Sequence, residues 1–406
     1  MGRRKYWALV LAALLLLGSL SGCSAFIEGT YMDIRPHRVE PLSDLDAEDY
    51  ITVSSQEELE QALWNMIRVR RESRLFRILH LDGATTMEAA WQEVQLRPLA
   101  AFAVSSFNTR ILSEWQGVTE LELVISYQKT NEQIAGVRTV NSADNASVLL
   151  GQMLRNGETY LAMLCPVTIA NVGFLEAIIR DHYYHYPLEI VVFPQSAIHI
   201  YPSSGSGNQR IAEVVLDFGF DRQTLDQMRR DLYRSAHDLI GELPESLTPP
   251  EQMIWLTETL SNQVIPVDSE DHLSGALPFV YDEDVEDRED IVPDEPSPLY
   301  HTAFGALVMG QASSEGLARS FQALAGLLGM DSQVVRGKLH DLPHVWNIVA
   351  FEGYYYHIDV SMLQVLGPEL TLFVPDEVMM FQNGYSWDVV LFPRADSDLR
   401  YSDFTE

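Results

Sequence analysis

The chain has 406 residues, 47% of them hydrophobic, enough for the cores of two or three ordinary domains. Lysine and arginine number 27 against 58 aspartates and glutamates, a formal net charge of −31. That balance argues against nucleic acid or an anionic membrane face as a partner, because both would repel the chain.

The N-terminus opens with Arg3, Arg4 and Lys5, a basic region, followed by a short apolar run from Trp7 to Leu17. This run is too short for a comfortable transmembrane helix. Leu20-Ser21-Gly22-Cys23 follows at once and resembles the lipobox of bacterial lipoproteins. The resemblance implies that residues 1–23 hold a signal peptide, with Cys23 acylated and becoming the mature N-terminus. Several acyl chains on one residue would give a stable anchor, which one chain would not. The expected location is therefore the extracytoplasmic face of a bacterial membrane, with the bilayer as partner through the lipid. Residues 24–50 are polar and acidic with little periodicity and are expected to form a tether.

From Ile51 the order α-β-α-β-β occurs twice, with a period of roughly 90 residues. Thr52-Val53 opens the first unit (51–137) and Thr139-Val140 the second (138–243). SQEELEQALWNMI and SADNASVLLGQML are the first helices, and Ser55 with Glu58 suggests a capping box. RLFRILHL and TYLAMLCP are strands, MEAAWQEVQ and GFLEAIIRD second helices. AAFAVSSFNTRIL and LEIVVFPQSAIHIYP read as the next strands, and ELELVISYQ and AEVVLDFGF as the last. Cys165 falls in an apolar strand and is expected to be a buried, inert thiol. His182 and His185 have i,i+3 spacing, but a solvated helix end is expected and no metal. SSGSGN (203–208) lacks a lysine and a following helix, so it reads as a strand-to-strand loop. A helix over Gln223 to Ile240 and the linker GELPESLTPP close this region.

Thr248, Pro249 and Glu251 form a helix-start signature. Met253, Leu256, Leu260 and Val264 supply that helix's buried face. An acidic insertion lies within 268–297, and its stretch from Asp282 to Glu295 holds nine carboxylates and one arginine. Like charges this dense predict a solvated loop, and the spacing fits no calcium-binding EF-hand. Next comes a helix with Leu317, Phe321, Leu324 and Leu328 on one face, stopped at Gly329. Gln333 to Gly337 reads as a short strand. His344 to Phe351 and Tyr354 to Val360 read as strands joined by Glu352-Gly353, a two-residue hairpin loop. That loop sets Trp346 opposite Asp359 and makes His344 a diagonal neighbour of Asp359. A histidine and a carboxylate so placed are a base and its orienting group. The third member belongs at the helix start, where dipole and free N–H groups favour a developing anion; Ser314 stands there.

GQASSEGLARSF, PHVWNIV and YYHIDVSM are similar to the three signature blocks of the transglutaminase-like superfamily, and the similarity runs from roughly Leu247 to the end. It implies an α+β fold, with a papain-like core (244–406) of a helix packed on an antiparallel sheet, preceded by the two α/β units. It also implies a Cys-His-Asp triad. His344 and Asp359 match that triad, whereas Ser314 stands where the family has cysteine. A serine hydroxyl is a far weaker acid than a thiol and cannot form the same resting ion pair. Such an exchange costs several orders of magnitude in rate, which is several kcal/mol of barrier. Two functions remain open. One is a catalytically silent binding or scaffold module, taking a peptide, protein or cell-wall ligand, with Ser314 capping the helix. The other is a peptidase, hydrolase or acyltransferase using Ser314, His344 and Asp359. No cofactor and no metal are expected. His357, and the aromatic residues Trp346, Trp387 and Tyr354 to Tyr356, are expected to serve packing.

Overall fold

The computed structural model describes residues 50–267 and 297–405. Cys23, the tether and the acidic insertion up to residue 296 lie outside the described residues. From Thr52 onward the chain forms one compact unit.

The first part contains β1 (Tyr50–Val53), α1 (Gln56–Arg68), β2 (Ser73–Leu79), α2 (Gly83–Val94), α3 (Pro98–Ala103), β3 (Val104–Trp115) and β4 (Val118–Tyr127). Its sheet runs β1-β2-β4-β3, with β4 antiparallel to both β2 and β3. After the short α4 (Asn131–Ala135) come β5 (Arg138–Thr139), α5 (Ala143–Asn156), β6 (Tyr160–Pro166), α6 (Val172–His185), β7 (Gln195–Tyr201) and β8 (Gln209–Asp217). The order β5-β6-β8-β7 repeats that of the first sheet, with β8 antiparallel to both neighbours. Helix α7 (Arg222–Gly241) then leads to the C-terminal part.

Two strands expected here are shorter than their apolar runs. AAFAVSSFNTRIL splits into α3 and β3, because Pro98 at the first helical position presets a helical φ and forfeits no intrahelical hydrogen bond. In LEIVVFPQSAIHIYP only Gln195–Tyr201 is strand. Pro194 precedes it and cannot donate to a ladder, while Ile190, Val191 and Val192 are buried in the core outside any strand. Cys165 lies in β6 with none of its surface exposed, and burial pushes its thiol up to about 11. The 203–208 loop joins β7 to β8, its carbonyls pinned by the Arg210 guanidinium, which donates to Gly205 O and Gly207 O at 2.6 Å each.

The C-terminal part begins with α8 (Pro249–Gln263), capped by a Thr248–Glu251 box. Met253, Leu256, Leu260 and Val264 are all buried, as their spacing requires. β9 (Ile265–Pro266) pairs in parallel with β10 (Gln311–Ala312), and α9 follows at Ser314–Leu327. Gly329, at φ +77, ends α9 in a Schellman arrangement: Met330 N donates to Ala325 O at 2.9 Å and Gly329 N to Gly326 O at 3.1 Å. Then come β11 (Ser332–Leu339), β12 (Leu342–Phe351), β13 (Tyr354–Ile358), α10 (Leu363–Leu366), α11 (Pro368–Thr371), α12 (Asp376–Phe381) and β14 (Tyr385–Trp387). Their sheet runs β13-β12-β11-β14 and is antiparallel throughout. The β12–β13 turn holds Glu352 at φ 52 and Gly353 at φ 83, the left-handed pair a tight twisted hairpin needs. It sets Asn347 opposite Ile358 and Ile348 opposite His357, the register expected from the sequence.

The two faces of this sheet bury different sets. Val349, Tyr356 and Ile358 pack with Leu317, Phe321 and Leu324 of α9. Trp346 and Ile348 pack on the other side with Val335, Met379 and Tyr385. The α+β class, with a helix laid on an antiparallel sheet, is thus present.

Candidate functional site

His344, at the start of β12, places Nε2 2.6 Å from Asp359 Oδ2, and Asp359 is 1% exposed. The same carboxylate oxygen accepts from Tyr385 Oη at 2.7 Å. Its partner Oδ1 accepts from Ser361 Oγ at 2.7 Å, Ser361 N at 3.0 Å and Met362 N at 3.2 Å. Burial pushes the Asp359 carboxyl upward, but the charge of His344 and the hydrogen bonds from His344, Ser361 and Tyr385 outweigh it and hold the group below the usual aspartate range. Nε2 faces the carboxylate, which leaves Nδ1 as the other ring nitrogen, without a hydrogen-bond partner among the described residues. About a tenth of the His344 side chain is exposed. A ring oriented by a carboxylate with one nitrogen spare can serve as a general base.

A second buried network lies beside it. Trp346 Nε1 donates to His357 Nδ1 at 2.9 Å, and His357 Nε2 lies 2.9 Å from Asp376 Oδ1. The indole can only donate, so His357 carries its proton on Nε2 and gives it to Asp376. Burial lowers the His357 pKa despite Asp376, which keeps the ring neutral. Both nitrogens are occupied, and the ring fixes Trp346, which lies against His344 with ring centres 6.1 Å apart.

The helix start differs by one residue from the sequence expectation. Ser313, not Ser314, is the N-cap: its backbone is extended and its Oγ faces Gly316 N. Ser313 Oγ also lies 2.8 Å from His301 Nδ1 and donates to Tyr300 O at 3.3 Å. A Cβ on Gly316 would sit 2.3 Å from Tyr300 O, so the helix enters with a glycine at its third position.

Ser314 is the first helical residue, half-buried, and its hydroxyl makes no hydrogen bond among the described residues. Asn347 Nδ2 donates to Ala318 O at 2.9 Å, and Gln322 Nε2 to Ser332 O at 3.1 Å, with Ser332 opposite Val349. Helix and strand therefore advance in the same sense. Four residues back from Ala318, about 6 Å of helix, the start of α9 stands level with the strand about two residues before Asn347. Ser314 and His344 thus occupy the same end of the helix–strand pair. His344 and Asp359, however, share the sheet face of Trp346, turned from the body of α9.

Several residues that build this region carry no local signal in the amino-acid pattern. Tyr385 comes from β14 and Asp376 from α12, both distant in sequence. Arg319 sits on α9 with no exposure at all, donating to Tyr183 O at 2.8 Å and Ile190 O at 2.9 Å. His182 is half-buried rather than solvated, its Nε2 2.8 Å from Ser147 O. No group of three or more potential ligands could hold a metal among the described residues, and no described helix is long and apolar enough to cross a membrane.

No family model matches this chain, and neither does any curated protein. Among solved structures it is similar to a crystal structure of a TGase, with 9% identity over 57% of this chain and 64% of that one and a TM-score of 0.26. It is also similar to a candidate cysteine protease from Cytophaga hutchinsonii, with 13% identity over 44% of this chain and 65% of that one and a TM-score of 0.23. The chain spans just under two thirds of the length of each.

Proposed function

We propose that the protein is a lipid-anchored, extracytoplasmic binding or scaffold module whose transglutaminase-like site is silent in acyl transfer. The observation that carries this is at Ser314: among the described residues its hydroxyl has no hydrogen-bond partner, and neither has His344 Nδ1. A serine needs its base within hydrogen-bond reach, because an unassisted hydroxyl is a weak nucleophile at neutral pH. A thiol would tolerate looser contact, since helix dipole and imidazolium favour the thiolate directly. The His344–Asp359 pair then acts as a polar tie between β12 and the segment after β13. Anchoring through Cys23 rests on the Leu20-Ser21-Gly22-Cys23 pattern.

One observation favours the second reading, an envelope hydrolase: the His344–Asp359 pair is intact and correctly polarised. In that case Ser314 Oγ would attack a carbonyl carbon and pass its proton to His344 Nδ1, which would return it to the leaving group. A fluorophosphonate reagent separates the two. The silent module stays unlabelled, like Ser314→Ala. Labelling that disappears in Ser314→Ala would overturn the proposal. Radiolabelled palmitate incorporation lost in Cys23→Ala tests the anchor.

A further inference from the structure

Next to the start of α9, a cavity of about 340 Å³ opens between α6 and the C-terminal part. Its walls carry Arg180, Arg336, Tyr183, Tyr184, His301 and Glu315. Neither His344 nor Asp359 lines it. The chain has 58 acidic residues for 27 basic ones, and only one of those acids reaches this wall. Arg180 and Arg336 form no ion pair among the described residues. The Arg336 guanidinium lies over the Tyr184 ring, 4.6 Å from its centre. Behind the cavity, Arg319 stacks on Tyr183 at 3.4 Å. Arg319 is fully buried, binds only two carbonyls and leaves Nε without a partner. The one acid on the wall, Glu315, already accepts from Tyr184 Oη at 2.7 Å. Two lining guanidiniums, with a third buried behind them, outweigh a single carboxylate. The Tyr183 ring, Val192, Phe193 and Pro298 supply an apolar part of the wall.

We propose that this cavity binds a small organic anion: a carboxylate or phosphate group held between Arg180 and Arg336, with its apolar body against Tyr183, Val192 and Phe193. Both oxyanions match the guanidinium fork. The volume lies at the low end of small-molecule sites, which run from about 300 Å³, so the body is a single ring or side chain. Glu315 and Tyr184 fix the rim, and Glu315 follows Ser314 directly, so a bound anion would sit one residue from the helix start.

The test is calorimetric titration of the whole protein with N-acetylphenylalanine, its neutral amide and phenyl phosphate. The acid, the phosphate or both should bind, and the amide should not; which anion binds more tightly tells carboxylate from phosphate. Arg180→Gln and Arg336→Gln should each weaken binding about tenfold, as expected for one charge-assisted contact. Arg336→Lys, which keeps charge but loses the fork, should fall between. Arg110→Gln, on the first sheet, should change nothing. Equal binding of acid and amide, undiminished binding in both arginine variants, or no binding of either anion at low salt would each overturn the assignment. Fluorophosphonate labelling reads Ser314 alone, so failure of anion binding would leave the silent-site reading standing.

Discussion

Asp359→Asn tests the site most directly, since it removes one charge and keeps the shape. The carboxylate is 1% exposed and accepts five hydrogen bonds, from His344, Tyr385, Ser361 twice and Met362. An amide has only one accepting oxygen. If it faces Ser361 and Met362, its NH₂ meets two donors, His344 Nε2–H and Tyr385 Oη–H. Breaking a buried charged pair in this way costs about 3–5 kcal/mol. Urea unfolding of both proteins at pH 7 should show that loss as a lower midpoint with an unchanged slope. The sign with pH follows from the depressed carboxyl of Asp359. Its stabilisation is fully present above the ordinary aspartate value of about 3.9 and is lost as pH falls through the lower folded value. The gap between the proteins should therefore narrow as the pH falls below about 4. A loss under about 1 kcal/mol at pH 7 would refute the account, because it is less than one buried hydrogen bond to a charge.

Tyr385→Phe removes one donor from the same carboxylate and should cost about 1.5–3 kcal/mol in urea unfolding. Gly316→Ala forces a Cβ to 2.3 Å from Tyr300 O; it should destabilise by about 1–3 kcal/mol and alter the near-UV circular dichroism. Lys129→Met removes the counter-charge of Glu213, which is 3% exposed and pairs with Lys129 from the loop after β4. It should cost about 3–5 kcal/mol, and adding Glu213→Leu should restore most of that, as a double-mutant cycle would show.

The sequence was most informative where local rules decide the backbone. Glu352-Gly353 fixed the hairpin, and with it the pairing that puts His344 near Asp359. Gly329 ended α9 where a left-handed residue was required. The cap differs by one residue because two adjacent serines satisfy the same rule, and it is Ser313 whose Oγ also contacts His301 Nδ1 and Tyr300 O. Apolar runs read as strands at 100–103 and 188–194, where prolines and tertiary packing prevail over β propensity. Tyr385, Asp376 and Arg319 could not be found by periodicity or spacing. Each reaches its partner across the fold, and a buried arginine among apolar helical residues looks, in one dimension, like an exposed one.

That arginine has a mechanical consequence. Arg319 is bolted to the carbonyls of Tyr183 and Ile190, so the helix that starts at Ser314 takes its seat from a segment well over a hundred residues earlier. Removing the residues before Pro244 would take away both carbonyl acceptors and the Tyr183 ring under the guanidinium, and would free the helix to shift. The front half of the molecule is in this sense the jig in which the back half is held true.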